Sequence, residues 1–189
     1  MTTPLNGSIT LGQAPGTVDE IVRIADGAPI ALEKAALDNM ARVSSRIQRA
    51  IEQGQVIYGL TTGVGDLVTT RLSPDRMTDT QLNMLRSHAC GVGPDLTVRE
   101  VRAMMAVTLK SLLQGYSGVT PALAQRIADM LNRQVTPWSP AGGSVGYLIA
   151  TAHIGLAVFG EGKCWYQGEL LPAQQALTRA GIPPYVPGP

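Results

Sequence analysis

The feature that most limits the fold is the spacing of apolar side chains in LEKAALDNMARVSSRIQRAIEQG. Leu32, Ala35, Ala36, Met40, Val43, Ile47 and Ile51 recur at helical intervals until Gly54 stops the run. That period lines one face of an α-helix. Thr17 with Glu20, and Thr97 with Glu100, have the spacing of capping boxes and open two further helices, running to about Gly27 and Leu113. Thr78 to Cys90 reads as a helix ended by Gly91 and Gly93. Thr120-Pro121 opens another reaching about Asn132, and one more begins near Tyr147. Strand signals are confined to a lead from Leu5 to Leu11 and a hairpin around Lys163 to Leu170. The expectation is a mainly α chain with a few short strands. No internal repeat or composition shift divides it, so residues 1–189 are read as one region.

Composition then removes several classes of function. Apolar residues make up 44% and charged residues 15%, enough to bury a core. The 15 basic and 14 acidic side chains leave a net charge of +1 and are scattered, which argues against a nucleic-acid partner. Cys90 and Cys164 form no CxxC pair, so neither a disulfide framework nor a metal site is expected, and a reducing cytoplasm fits. The N-terminus lacks the pattern of a signal peptide, and no apolar run reaches the ~20 residues that would span a membrane.

Three stretches could carry chemistry. YGLTTGVG sets Tyr58 ahead of Gly59, Gly63 and Gly65 within a long Gly- and Thr-rich segment closed by Ser73-Pro74. It reads either as a surface loop or as a ligand loop, and it matches neither a dinucleotide fingerprint nor a P-loop. RSHACGVG places His88 at a helix end, where it is either a cation favoured by the helix dipole or a hydrogen-bonding group. His153, within ATAHIGLAVFG, reads as a satisfied core residue. GGSVGYLIATAHIGL, residues 142 to 156, is a glycine-bracketed turn running into an apolar helix. Ser144 lies in that turn, but no GxSxG elbow or triad order accompanies it, which argues against a hydrolase nucleophile.

Together, YGLTTGVG, SHACGVGP, PWSPAGGSVG and LIATAHIGLAVFGEGK resemble the N-terminal half of the aromatic amino acid ammonia-lyase and aminomutase family, in order and at similar spacings. The resemblance implies the helical fold shared with fumarase and aspartase, of which this chain would be the N-terminal part, a longer C-terminal helical portion lying beyond PYVPGP. It also implies a prosthetic group, 4-methylidene-imidazol-5-one, made by cyclisation of an Ala-Ser-Gly tripeptide within the turn spanning 137–147. Here Gly146 is joined directly to Tyr147. The gap is the size of the tripeptide, and the ring is expected between these two residues, flanked by Ser144, Gly146 and Tyr147. A chain that truly lacks it would be a non-catalytic relative.

The implied reaction is loss of ammonia from an aromatic L-amino acid, giving an α,β-unsaturated acid. That requires removal of a barely acidic hydrogen and expulsion of a poor leaving group, which a covalent electrophile makes feasible. By resemblance Tyr58 is the base, in a catalytic loop with Gly65. A free phenol titrates near ~10, so a phenol base near neutral pH needs surroundings that favour its anion. Leu60, Thr61 and His88 are expected to contact substrate. A histidine at position 88 accompanies polar rings in this family, and Thr61 resembles the tyrosine-acting members, which puts tyrosine first and histidine close behind. A tyrosine 2,3-aminomutase would use the same residues. Tyr147 departs from the acidic residue usual beside the ring. A homotetramer is implied for the complete protein, with this half inactive alone.

Overall fold

Both capping boxes form. Thr17 Oγ1 accepts from the Glu20 amide at 3.2 Å while the Glu20 carboxylate accepts from the Thr17 amide at 2.8 Å, and Thr97 with Glu100 repeats the arrangement. Each satisfies amides that a helix N-terminus leaves unpaired. The computed structural model describes residues 7–143, 148–183 and 185. In chain order the elements are β1 (Ile9–Leu11), α1 (Val18–Ala25), β2 (Ile30–Leu32), α2 (Lys34–Glu52), a 3-10 turn at Gly65–Leu67, α3 (Pro74–His88), β3 (Val92–Asp95), α4 (Val98–Leu112), α5 (Pro121–Asn132), β4 (Thr136–Pro137), β5 (Pro140–Gly142), α6 (Leu148–Val158), β6 (Lys163–Tyr166), β7 (Glu169–Pro172) and α7 (Ala173–Arg179). The fold is mainly α, as expected.

The core is built around α4. Val101, Met105, Ala106 and Leu109 are all but completely buried, as are Ile24 of α1 and Ala124, Met130 and Leu131 of α5. Each large apolar side chain so placed contributes about 1.5–3 kcal/mol relative to exposure. Arg102 shares this interior without a carboxylate. Its guanidinium donates to the carbonyls of Ile24 at 2.8 Å, Leu131 at 3.0 Å and Ala25 at 3.2 Å, and burial pulls its pKa below the ordinary arginine value. These carbonyls lie at the C-terminal ends of α1 and α5, where the helix dipole is negative and the backbone acceptors lack helical partners.

Three small sheets tie the helices together. β1 and β2 pair in parallel, Ile9 opposite Ile30, and the Asn132 side-chain amide continues the edge by accepting from the Ile30 amide at 2.8 Å and donating to its carbonyl at 3.0 Å. β6 joins β4 and β7 antiparallel. β3 and β5 pair antiparallel, Val92 opposite Gly142 and Asp95 opposite Pro140.

Several sequence expectations shift here. Of the Leu5–Leu11 lead, residues 9–11 form the strand, 7 and 8 do not, and Leu5 and Asn6 lie outside the described residues; α3 starts at Pro74 rather than Thr78, and β2 to β5 were not foreseen. Ser73-Pro74 suggests a closing turn, yet proline at the first helical position is pre-set for the helix and surrenders only an unpaired amide. The missed strands have two to four residues, and β3, β4 and β5 carry Pro or Gly, so no alternation marks them.

Candidate active site

Residues 53–73 between α2 and α3 form a loop closed on itself. Gly63 N–H donates to Thr70 O at 3.0 Å, Leu72 N–H to Thr61 O at 2.9 Å, and Thr62 bridges to Arg71. Tyr58 is 63% exposed, and its hydroxyl accepts from the Gly65 amide at 3.1 Å. Gly65 opens the 3-10 turn, so that amide has no helical acceptor, and its φ of +58° is one that side chains disfavour. The only strong donor seen on the phenol oxygen among the described residues is therefore a backbone N–H, a partner that stabilises an oxyanion.

Thr61 faces inward. It is buried, its Oγ1 accepts from the Ile57 amide at 2.7 Å and donates toward the Gln55 carbonyl at 3.1 Å. In this arrangement its hydroxyl serves the loop. Leu60 and Tyr58 line a cavity of about 510 Å³ with Gln48, Tyr116, Thr120 and Phe159.

His88 ends α3. Its Nδ1 lies 2.8 Å from the Met84 carbonyl and 3.1 Å from Ser87 Oγ, whose own hydroxyl donates to that carbonyl. A carbonyl can only accept, so with the Met84 bond formed the neutral ring carries its proton on Nδ1 and leaves Nε2 as its acceptor. With Met84, Leu85, Thr151 and Ala152 it lines a largely apolar cavity of about 200 Å³ between α3 and α6. Sequence reading left out Met84 and the α6 residues. The four-residue step from Met84 to His88 places them on one helix face, but nothing local announces α6 as the opposite wall. Among the described residues the Tyr58 and His88 cavities share no lining residue.

The segment entering the turn is held close to β3. A Cβ at Gly91 would lie 2.3 Å from Pro140 Cγ and 2.7 Å from Ile149 Cγ2, and one at Gly143 would lie 1.8 Å from Ile149 Cδ1. Only glycine lets these strands and the first turn of α6 approach so closely. Ser144, Gly146 and Tyr147 lie outside the described residues. No group of His, Cys, Asp and Glu able to hold a metal occurs among the described residues.

His153 is not the satisfied core residue expected. It is half-buried, its Nε2 is buried with no hydrogen-bond partner among the described residues, and burial lowers its pKa from the ordinary 6.5. Its ring stands edge-on to Trp138, centroids 5.4 Å apart at 89°.

A sequence profile described as aromatic amino acid lyase matches residues 17–189. The chain belongs to the aromatic amino acid lyase family. Among its relatives in that family, histidine ammonia-lyase from Geobacillus thermodenitrificans is 39% identical over 172 residues, covering 89% of this chain and 34% of the relative. The fold superposes on tyrosine aminomutase from Streptomyces globisporus with a TM-score of 0.89 at 30% identity, over 95% of this chain and 34% of that one. It superposes on Pantoea agglomerans phenylalanine aminomutase with a TM-score of 0.90 at 28% identity, over 94% and 35%. The chain thus spans about a third of the length of the lyase family members it matches. No helix among the described residues is long and apolar enough to cross a membrane.

Proposed function

We propose that the chain forms the N-terminal part of an enzyme that eliminates ammonia from an aromatic L-amino acid with a polar ring, in the cytoplasm and as a homotetramer when complete. The observation that carries this reading is the Tyr58 hydroxyl held by the Gly65 amide at 3.1 Å, in a loop built to keep it there. Tyr58 takes the β-hydrogen, and the Gly65 N–H stabilises the phenolate oxygen that does so. His88 reads the substrate ring through Nε2, which accepts a hydrogen bond from a phenol O–H or an imidazole N–H while Met84 O fixes the tautomer. Leu60 supplies an apolar contact. Thr61 acts through the loop, which weakens the ground for preferring tyrosine. The histidine ammonia-lyase at 39% identity favours histidine, and tyrosine stays the second substrate.

A methylidene-imidazolone between Gly146 and Tyr147 would supply the electrophile that captures the substrate amine. The sequence joins those residues directly, so the ring requires an Ala-Ser-Gly between them. The close Gly91, Gly143 and Ile149 packing and the β3–β5 pairing hold the flank from which such a turn would project. The mass of the peptide spanning Gly146 and Tyr147, cut from the purified protein, is the test. A mass above that of the peptide's own residues by a dehydrated Ala-Ser-Gly supports the enzyme, whereas the bare sequence mass leaves a non-catalytic relative. In the full-length enzyme, Tyr58→Phe should lower kcat by about 10²–10⁴ with little change in Tm, and Gly65→Ala should lower it through the same oxygen. Absorbance of released urocanate or coumarate separates the two substrates. Tyrosine and phenylalanine aminomutases among the structural neighbours support a second reading, return of ammonia to the β-carbon, which a β-amino acid product would reveal.

A further inference from the structure

His153 and Trp138 stand on opposite limbs of the glycine turn. Trp138 belongs to the segment between β4 and β5 that leads into it, and His153 belongs to α6, which leads away. Their edge-on contact is the kind of aromatic pairing that stabilises beyond buried area, by about 0.5–1.5 kcal/mol. Trp138 is anchored independently: its amide donates to Lys163 O at 2.9 Å, and the Lys163 ammonium lies 5.7 Å from its ring centroid. His153 has no such anchor through Nε2, although a buried ring nitrogen without a partner is costly. A phenylalanine would keep the ring and its edge without that cost, so the ring's shape and edge, not its nitrogen, account for the contact.

The same helix carries Thr151 and Ala152 into the His88 cavity, two residues and one residue before His153. The opposite wall, α3, is held just past the far end of α6 by Arg86, whose Nε donates to Glu161 at 2.9 Å and whose Nη2 reaches its other carboxylate oxygen at 2.5 Å. The segment just after α6 is thus tied to α3, and the middle of α6 to the β4–β5 segment.

We propose that His153 is a positioning residue: its imidazole, packed edge-on against Trp138, braces α6 to the entering limb of the turn and so sets the α6 wall of the His88 cavity. The importance of that wall rests on the reading that the His88 cavity takes the substrate ring. The brace itself can be measured without turnover, so failure of one is distinguishable from failure of the other.

These 189 residues hold histidine only at 88 and 153, and the His88 resonance is assigned by its loss in His88→Asn. In His153→Leu, amide exchange at residues 141, 142 and 150 to 152 should rise about ten-fold, amides of Met105 and Leu109 in the core should keep their rates, and the His88 Cε1–H resonance should move. In His153→Phe, which keeps an aromatic edge, exchange and the His88 resonance should stay as in the parent. Leucine and parent behaving alike would overturn the brace. Phenylalanine behaving like leucine would also overturn it, because the nitrogen would then be what matters. If His153→Leu does not fold, Trp138→Leu loosens the same amides from the other side, and unchanged exchange there counts against the proposal.

Discussion

Arg102 shows how a single side chain can hold several elements. Its interior position is supportable because three carbonyls at helix ends, which lack helical donors, receive its guanidinium. Arg102→Ala leaves the Ala25 carbonyl without its donor and the Ile24 and Leu131 carbonyls with only a turn amide each, from Gly27 and Gln134, and chemical denaturation should show a loss of about 1–3 kcal/mol. The two cysteines offer a second check at this scale. Cys90 is exposed, while Cys164 is buried and its thiol is pushed up to about 12 by desolvation. Iodoacetamide should label Cys90 in the native protein and Cys164 only after unfolding, read by peptide mass. Among candidate site residues, Tyr58 and His88 could be singled out in the sequence by their company of glycines and by a helix end. That Thr61 turns its hydroxyl into its own loop could not, since threonine serves a ligand or a backbone turn equally well.

Among the elements, the helices except α7 declared themselves, whereas of the strands only β1 and the β6–β7 hairpin did. A helix carries its period and its caps in consecutive residues, so Thr17 with Glu20 and Thr97 with Glu100 marked real N-termini. β3 and β5 exist because each finds the other: Val92, Gly93 and Pro94 have no strand pattern until Pro140 and Gly142 lie alongside. Gly91 is the joint of this pair. Gly91→Ala would push a methyl group against the Pro140 ring, Ile149 and the Gly142 carbonyl, the last at 3.2 Å. The proline ring and the backbone cannot swing aside as a side-chain tip can, so a loss of about 1–3 kcal/mol is expected in thermal denaturation, together with faster exchange across β3 and β5.

Across the whole molecule, charge is nearly balanced, and pH acts through a few placed groups. His153 is held below its ordinary 6.5 by burial, so the folded state favours the neutral ring. Its contribution is complete above about pH 6.5 and is lost as pH falls from there toward the depressed folded value, where the unfolded chain has taken up the proton first. Asp26 and Glu161 are held below their ordinary values chiefly by hydrogen bonds from Arg99 and Arg86, so their contribution is present above about pH 4.5 and is lost on further acidification. Tm measured against pH should therefore fall in two stages. The first should be missing in His153→Phe and the second retained.

The residues by themselves determined a mainly helical chain and where most of its helices begin. These are matters of local period, capping and backbone freedom, written within a few consecutive positions. Only the tertiary structure decided that α6 faces α3 across the His88 cavity, that Gly65 gives its amide to Tyr58, and that Trp138 meets His153. Such contacts depend on how separate segments pack around α4, and packing is a property of the assembled core that no short stretch of sequence contains.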